Sequence, residues 1–516
     1  MTDQEKCIQS WYADDSAAAG RMDELKIWWD ELTMSGPKYG YYPNNSKTIL
    51  VLKDPSDMQA ALRLFENTGI KIVSNGERHL GVVIGSKEHK EQFVSEKIMK
   101  WIQDLRQLTQ TAKDEPHAAP RWCFTQRTIG GIGHLFAPLE KVIRDEFIPS
   151  LTDRTLSEIE RQIMELPVRM GGLGIQNPEK NSHREFENSN YITEKLVEHL
   201  LQQNIDYYPE QNEMTTRIKR CEEEKEKEYQ RTLDSLLTNQ GVSNPQKKLL
   251  KLACEKGSGS WLTTIPIQAL GYALNKEDFK GSICMRYGWR IKNMPTHCAC
   301  QKKNSIDHAL SCKTGGYTIF RHNRIRDTIA EILREVCTDV VVEPPLTPLE
   351  SDTHTDNRMN STDGARLDVA CIGLFSPLER TYMDVRIFHA GAPSYRNRTL
   401  ASLYTENENS KKRQYNSRVI NVEKSTFTPL IFSTTGGMGK ECRNLVRRCA
   451  YLISNKRGER YADVMSHITT RIRMALLKST LISIRGYRGK QKIDNHPLDM
   501  IPFNLVPGTG DPDRQI

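Results

Sequence analysis

Ala365-Arg366-Leu367-Asp368-Val369-Ala370-Cys371-Ile372, followed after a short gap by Glu379-Arg380-Thr381-Tyr382-Met383-Asp384-Val385-Arg386-Ile387, reads as two apolar β-strands that each carry one acid. An amphipathic helix, Phe320 to Val336, precedes them, with Ile325, Ile329, Ile332, Leu333 and Val336 on one face. Val340-Val341-Val342 is a β-branched strand, and Glu350 to Asp363, rich in Asp, Thr and Asn, suits a loop. Beyond the acids, Lys411-Lys412-Arg413-Gln414-Tyr415 falls on a further helix and Phe427 to Ser433 is another apolar strand. Two helices close the run, Lys440 to Ser454 and Tyr461 to Ile482. Helices and strands alternate, so this part of the chain is expected to be an α/β domain.

Just upstream, Cys298-Ala299-Cys300, His308 and Cys312 supply four thiolate or imidazole ligands within 15 residues. A Cys₃His set closes a tetrahedral zinc site without an open position, which points to a structural metal. The Cys-x-Cys spacing is tighter than the usual Cys-x₂-Cys, and His297 and His322 are spare ligand candidates. Twelve cysteines at irregular spacing, with no signal peptide in Met1-Thr2-Asp3-Gln4-Glu5-Lys6, argue for thiols and a metal site rather than a disulfide framework.

At the other end, Trp11-Tyr12-Ala13-Asp14-Asp15-Ser16 sets two adjacent aspartates behind an aromatic pair. The pattern suits a tight hairpin that offers both carboxylates to divalent metals, the arrangement used in phosphoryl transfer. Only 13 residues precede Asp14, and none of Met1 to Ala13 reads as a strand carrying a further acid. Ala17 to Met34 reads as a helix, Thr48 to Leu52 as a strand after Ser46-Lys47, and Asp54 to Thr68 as a helix. Lys71 to Ser74 and His79 to Ile84 are short strands, and Ser86 to about Ile159 is mostly helical. Leu166-Pro167-Val168-Arg169-Met170-Gly171-Gly172-Leu173-Gly174 interrupts that pattern with glycines that mark a turn or a close backbone approach. Glu185 to Leu237 mixes charges of both signs, as a solvated helical linker does.

The chain of 516 residues is long enough for about three domains. A hydrophobic content of 37% and the lack of any apolar run near bilayer length exclude a helical membrane protein. The net charge of +8 favours polyanionic partners. Arg443, Arg447, Arg448, Arg471 and Arg473 make the C-terminal helices basic and are expected to contact phosphates.

The Asp-Asp box resembles the Tyr-x-Asp-Asp motif of reverse transcriptases. Ser46-Lys47-Thr48 resembles the lysine-bearing segment after that box, Leu80-Gly81 the primer-gripping hairpin, and the Gly-Gly-Leu-Gly string one found after the thumb. The helix, strand and acid-bearing hairpin resemble the PD-(D/E)XK nuclease core, whose acids bind Mg²⁺ to activate water and stabilise phosphate charge. That core usually has a lysine two residues after the second acid, where this chain has Arg386. In the restriction-like endonuclease of site-targeted non-LTR retrotransposons the lysine sits on the next helix, with a tyrosine three residues later and a Cys-Cys-His-Cys knuckle upstream. Lys412 and Tyr415 match that pattern and share a helix face.

Taken over residues 8 to 485, the order of motifs resembles the C-terminal portion of such a retrotransposon protein, N-terminally truncated. The resemblance implies a multidomain α/β chain: a partial palm over 1–85, a helical thumb over 86–180, a charged helical linker over 181–257, a packed segment with the knuckle over 258–318, the endonuclease over 319–490 and a disordered tail over 491–516. It implies Asp14 and Asp15 as Mg²⁺ (or Mn²⁺) ligands of an RNA-directed DNA polymerase, silent in this chain for want of the first palm aspartate. Asp368 and Asp384 would bind the metal for nicking, with Lys412 and Tyr415 assisting, Lys47 and Arg386 touching nucleic acid, and Zn²⁺ held by Cys298, Cys300, His308 and Cys312. The implied partners are target DNA and the element's RNA template, with no membrane and with homodimerisation left open. The implied location is the nucleus, and the activity is nicking followed by target-primed reverse transcription. The alternative is a non-catalytic nucleic-acid-binding remnant of such an element.

Overall fold

The structure, a computed structural model, describes residues 7–12, 15–111, 122–203, 211–292, 294–347, 366–395 and 398–486. Asp14, the 350–363 stretch and the tail beyond 490 lie outside them. The chain is mixed α/β and divides into two compact units, Met1–Ser157 with Gln176–Thr232, and Glu158–Ile175 with Leu233–Ile516.

In the first unit β1 (Cys7–Tyr12) and β2 (Asp15–Gly20) form an antiparallel hairpin with Tyr12 opposite Asp15. One sequence expectation is corrected here. Cys7–Tyr12 is a strand that carries no acid, and Asp15–Gly20 is its return partner, so helix α1, expected from Ala17, begins only at Met22 and runs to Ser35. Alanine favours helix, but a full ladder across the hairpin outweighs that preference. Beside it, the Trp11 ring meets Tyr41 edge-on at 5.2 Å, and Ser16 Oγ lies 2.9 Å from Tyr41 Oη. β3 (Ile49–Val51) and β4 (Lys71–Val73) pair in parallel, while β5 (Gly76–His79) and β6 (Val82–Gly85) form a second hairpin. Its two-residue turn has Leu80 at φ +46° and Gly81 at φ +85°. Left-handed backbone at both positions is the turn that matches the twist of a hairpin. Helices α2 (Lys87–Thr111) and α3 (Pro178–Leu201) belong to the same unit.

The second unit holds α4 (Asn244–Ala253), α5 (Lys276–Tyr287), α6 (Ile306–Ser311), α7 (Tyr317–Arg334), β7 (Thr338–Val342), β8 (Val369–Ile372), β9 (Arg380–Phe388), α8 (Leu400–Asn421), β10 (Thr426–Ser433), α9 (Lys440–Arg457) and α10 (Tyr461–Arg485). Its sheet runs β10-β9-β8-β7, with β10 parallel to β9 and the other pairs antiparallel. Side chains alternate across a strand. Met383 and Val385 therefore enter the main core with Ile325, Ile329 and Leu333 of α7, Leu445 of α9 and Ile472 of α10. Tyr382 and Phe388 point to the other face, where Val419, Tyr415, Leu403 and Tyr404 of α8 cover them. Asp384 shares this second face.

The glycine-rich turn joins this second unit. A Cβ on Gly172 would stand 1.9 Å from the Leu166 carbonyl oxygen, so the chain closes on itself there. The buried Arg286 guanidinium donates to Val168 O at 2.8 Å, Tyr287 Oη to Gly171 O at 3.0 Å, and Trp289 Nε1 to Glu160 Oε1 at 3.1 Å. Residues 158–175 thus dock on the end of α5.

Candidate functional site

Asp368 stands one residue before β8. Continuing the register of Val369 opposite Met383 sets it across from Asp384. Asp384 is 6% exposed, and Lys411 Nζ from α8 lies 2.7 Å from its Oδ2. Apart from this ion pair, Asp384 Oδ2 has no hydrogen-bond partner. Burial pushes the Asp384 carboxyl above its usual range; Lys411 pulls it back and the Asp368 charge adds to the rise. Asp368 Oδ2 accepts from Val385 N at 2.6 Å and lies 3.1 Å from His322 Nε2. Burial opposes a charged imidazole, but the Asp368 carboxylate outweighs it and His322 sits above its ordinary value.

The lysine that reaches Asp384 is Lys411, the neighbour of Lys412. Lys411 Nζ also sits 5.4 Å from the centre of the Tyr415 ring, one helical turn on. Lys412 points elsewhere and pairs with Glu441 of α9. One residue turns a helix by about 100°, so the two lysines cannot share one direction. Tyr415 stays at the site: burial, then Asp384 and Asp368, push its phenol up, and its ring packs 5.7 Å from Phe427. Arg386, two residues after Asp384 and so on the same face of β9, is half-buried and forms no hydrogen bond or ion pair with the described residues.

The basic C-terminal helices divide. Arg443 and Arg447 are exposed. Arg448 Nε donates to Leu374 O at 2.7 Å and pins the loop between β8 and β9. Arg471 bridges Glu331 at 2.6 Å and Glu335 at 3.3 Å, locking α10 to α7. Arg473 is half-buried against Gly257, where burial lowers its pKa. Arg448 and Arg471 are thus engaged within the fold, and Arg473 is packed against it.

The knuckle is assembled. Ligand atoms of Cys298, Cys300, His308 and Cys312 all lie within 4.8 Å of one another. A tetrahedral zinc with bonds of about 2.3 Å to sulfur has edges of about 3.8 Å, and Cys298 Sγ is 3.9 Å from Cys312 Sγ. A tight turn, closed by Cys298 N on Lys302 O at 2.9 Å with Gln301 at φ +65°, presents the first two cysteines. Ser305 caps α6, which carries His308, and Cys312 ends it. Burial would raise the Cys312 thiol, but hydrogen bonding at Thr314 and with Cys300 and Cys298 outweighs it and brings it to about 7. A lowered thiol suits a metal ligand. His322, a spare ligand in the sequence reading, is carried by α7 to Asp368 instead.

The knuckle also braces the sheet. His389 Nε2, just past β9, lies 2.8 Å from Asp307 Oδ1 of α6, and its Nδ1 lies 2.8 Å from Thr434 Oγ1 just past β10. Removing the metal with a strong chelator is therefore expected to release one zinc per chain and to lower Tm by roughly 5 °C or more. Differential scanning fluorimetry with and without chelator, beside a zinc-sensitive dye, measures both.

In the first unit Asp15 is exposed at the start of β2 and Lys47 is exposed before β3, while Asp14 lies outside the described residues. Among the described residues no helix is long and apolar enough to cross a membrane. No protein-family model matches the chain, and no curated protein matches it.

Proposed function

We propose that the second unit is a metal-dependent endonuclease that nicks DNA. The observation that carries this reading is the meeting of Asp368 and Asp384 on adjacent strands with Lys411 and Tyr415 of the following helix. The residues fit a divalent cation: the Asp384 carboxylate is buried, and Oδ2 has no partner other than Lys411. Two carboxylates plus substrate phosphate and water are a typical Mg²⁺ set. Bound there, Mg²⁺ or Mn²⁺ supplies an activated water and neutralises charge developing on phosphate. Asp368 and Asp384 would hold it. Lys411, steadied by the Tyr415 ring, and Arg386, unpaired among the described residues, supply positive charge beside the acids, where a scissile phosphate would seat. The order helix, strand, acid-bearing hairpin, helix, strand supports a restriction-like core.

The knuckle upstream and the Asp-Asp hairpin at the start of the chain support its origin in a non-LTR retrotransposon protein. On that origin the nicked 3′ end serves to prime copying of an RNA template, with Asp14 and Asp15 as the polymerase acids and with work in the nucleus.

The test is incubation of the full chain with supercoiled plasmid and Mg²⁺. Conversion to the open circle by wild type, lost in Asp384→Asn, is the expected result. Binding without cleavage, equal in both proteins, overturns it in favour of a nucleic-acid-binding remnant.

A further inference from the structure

We propose that His322 is a positioning residue that sets the Asp368 carboxylate for cation binding; this rests on the nuclease reading above. His322 Nε2 lies 3.1 Å from Asp368 Oδ2 and 3.0 Å from Val385 O. Both are acceptors, so Nε2 carries the proton and shares it between them. Val385 N donates to the same carboxylate oxygen at 2.6 Å. Two N–H groups thus engage Oδ2 and fix the carboxylate plane, leaving Oδ1, which has no partner among the described residues, for a cation shared with Asp384.

One imidazole N–H therefore straddles both acid positions: the Asp368 side chain, and the carbonyl of the residue that follows Asp384. The imidazole itself has little freedom. Ile325, one turn along α7, is fully buried in the main core. Arg321, the preceding residue, is 3% exposed and donates to Leu310 O at 3.0 Å. On the far side of the ring, Nδ1 lies 3.3 Å from Asn323 Oδ1. A carboxylate held in this way needs no reordering when the cation arrives, and groups that orient metal ligands commonly change affinity 10- to 100-fold when removed.

The experiment is Mn²⁺ binding to the full, zinc-loaded chain, followed by calorimetry and by the EPR signal of free Mn²⁺, with Tm recorded for each variant. His322→Gln and His322→Phe fill similar space with and without an N–H donor. Mn²⁺ affinity is expected to fall about tenfold or more in His322→Phe and to recover most of the way in His322→Gln, at matching Tm. Asp384→Asn is expected to lose the site. Wild-type affinity in His322→Phe, with binding lost in Asp384→Asn, overturns the role of His322 and leaves the nuclease reading standing. Wild-type affinity in Asp384→Asn overturns that reading, and His322 with it.

Discussion

Lys411→Ala is expected to slow nicking by about 10²- to 10³-fold, the usual loss when one group that stabilises developing charge is removed. Lys412→Ala is expected to stay within about threefold of wild type, as the loss of a half-exposed ion pair does. The contrast follows from direction. Lys411 reaches Asp384 at 2.7 Å, whereas Lys412 reaches Glu441. Single-turnover nicking at saturating Mg²⁺ separates the two, because neither change should alter plasmid binding much. A large loss in Lys412→Ala with Lys411→Ala near wild type would reverse the assignment. Tyr415 needs its own control, since its ring also packs against Phe427 and its removal would disturb the sheet cover.

Gly172→Ala is expected to destabilise the second unit by more than about 3 kcal/mol, in the range of strain and overpacking at a closed backbone contact. The new Cβ would meet Leu166 O at 1.9 Å and Ile163 O at 2.5 Å, both main-chain atoms that cannot swing away. The damage should spread through Arg286. This buried guanidinium takes Val168 O and Gly172 O as acceptors and would lose both if the turn opened. Among the described residues it would keep only the long hydrogen bond of Nη1 to Ser258 Oγ at 3.5 Å, and a buried charge that loses its partners costs several kcal/mol more readily than a surface one. Urea unfolding of the full chain, followed by resistance of the second unit to protease, reads the effect. Gly174→Ala is the comparison, because no atom lies within 4 Å of its added Cβ, although its φ of +74° carries some strain.

The elements from Tyr317 to Arg485 were legible because each announces itself locally. α7 has its apolar stripe, β8, β9 and β10 are β-branched or aromatic runs, and glycines or polar loops separate them. The acid pair was legible for the same reason: a lone carboxylate in an apolar strand stands out. Choosing between Lys411 and Lys412 was harder, since spacings of three and four both keep a residue on the face of Tyr415. Only the packing of α8, which sets Lys411 against Asp384 and Lys412 against Glu441, decides. His322 carried no signal of its own beyond lying near the knuckle, and it took α7 packing on the sheet to bring it to Asp368. Arg448 and Arg471 looked like a basic surface because their partners, the Leu374 carbonyl and Glu331 with Glu335, lie far away in sequence, as does Gly257, against which Arg473 packs. The strand Cys7–Tyr12 is moderately apolar and shows no alternation, so only its pairing with Asp15–Gly20 defines it.

The docking of residues 158–175 on α5 bears on how this protein can be rearranged. The chain passes between its two units after Ser157, after Ile175 and after Thr232. A single protease cut at any one of these places leaves the halves joined by the others. The second unit is likewise no cassette to be exchanged at one splice point. A chimera that imports a different domain after residue 232 would strand Gly171 and Gly172 without the Arg286 and Tyr287 that hold them, so a workable graft must carry the glycine turn and its receiving helix together.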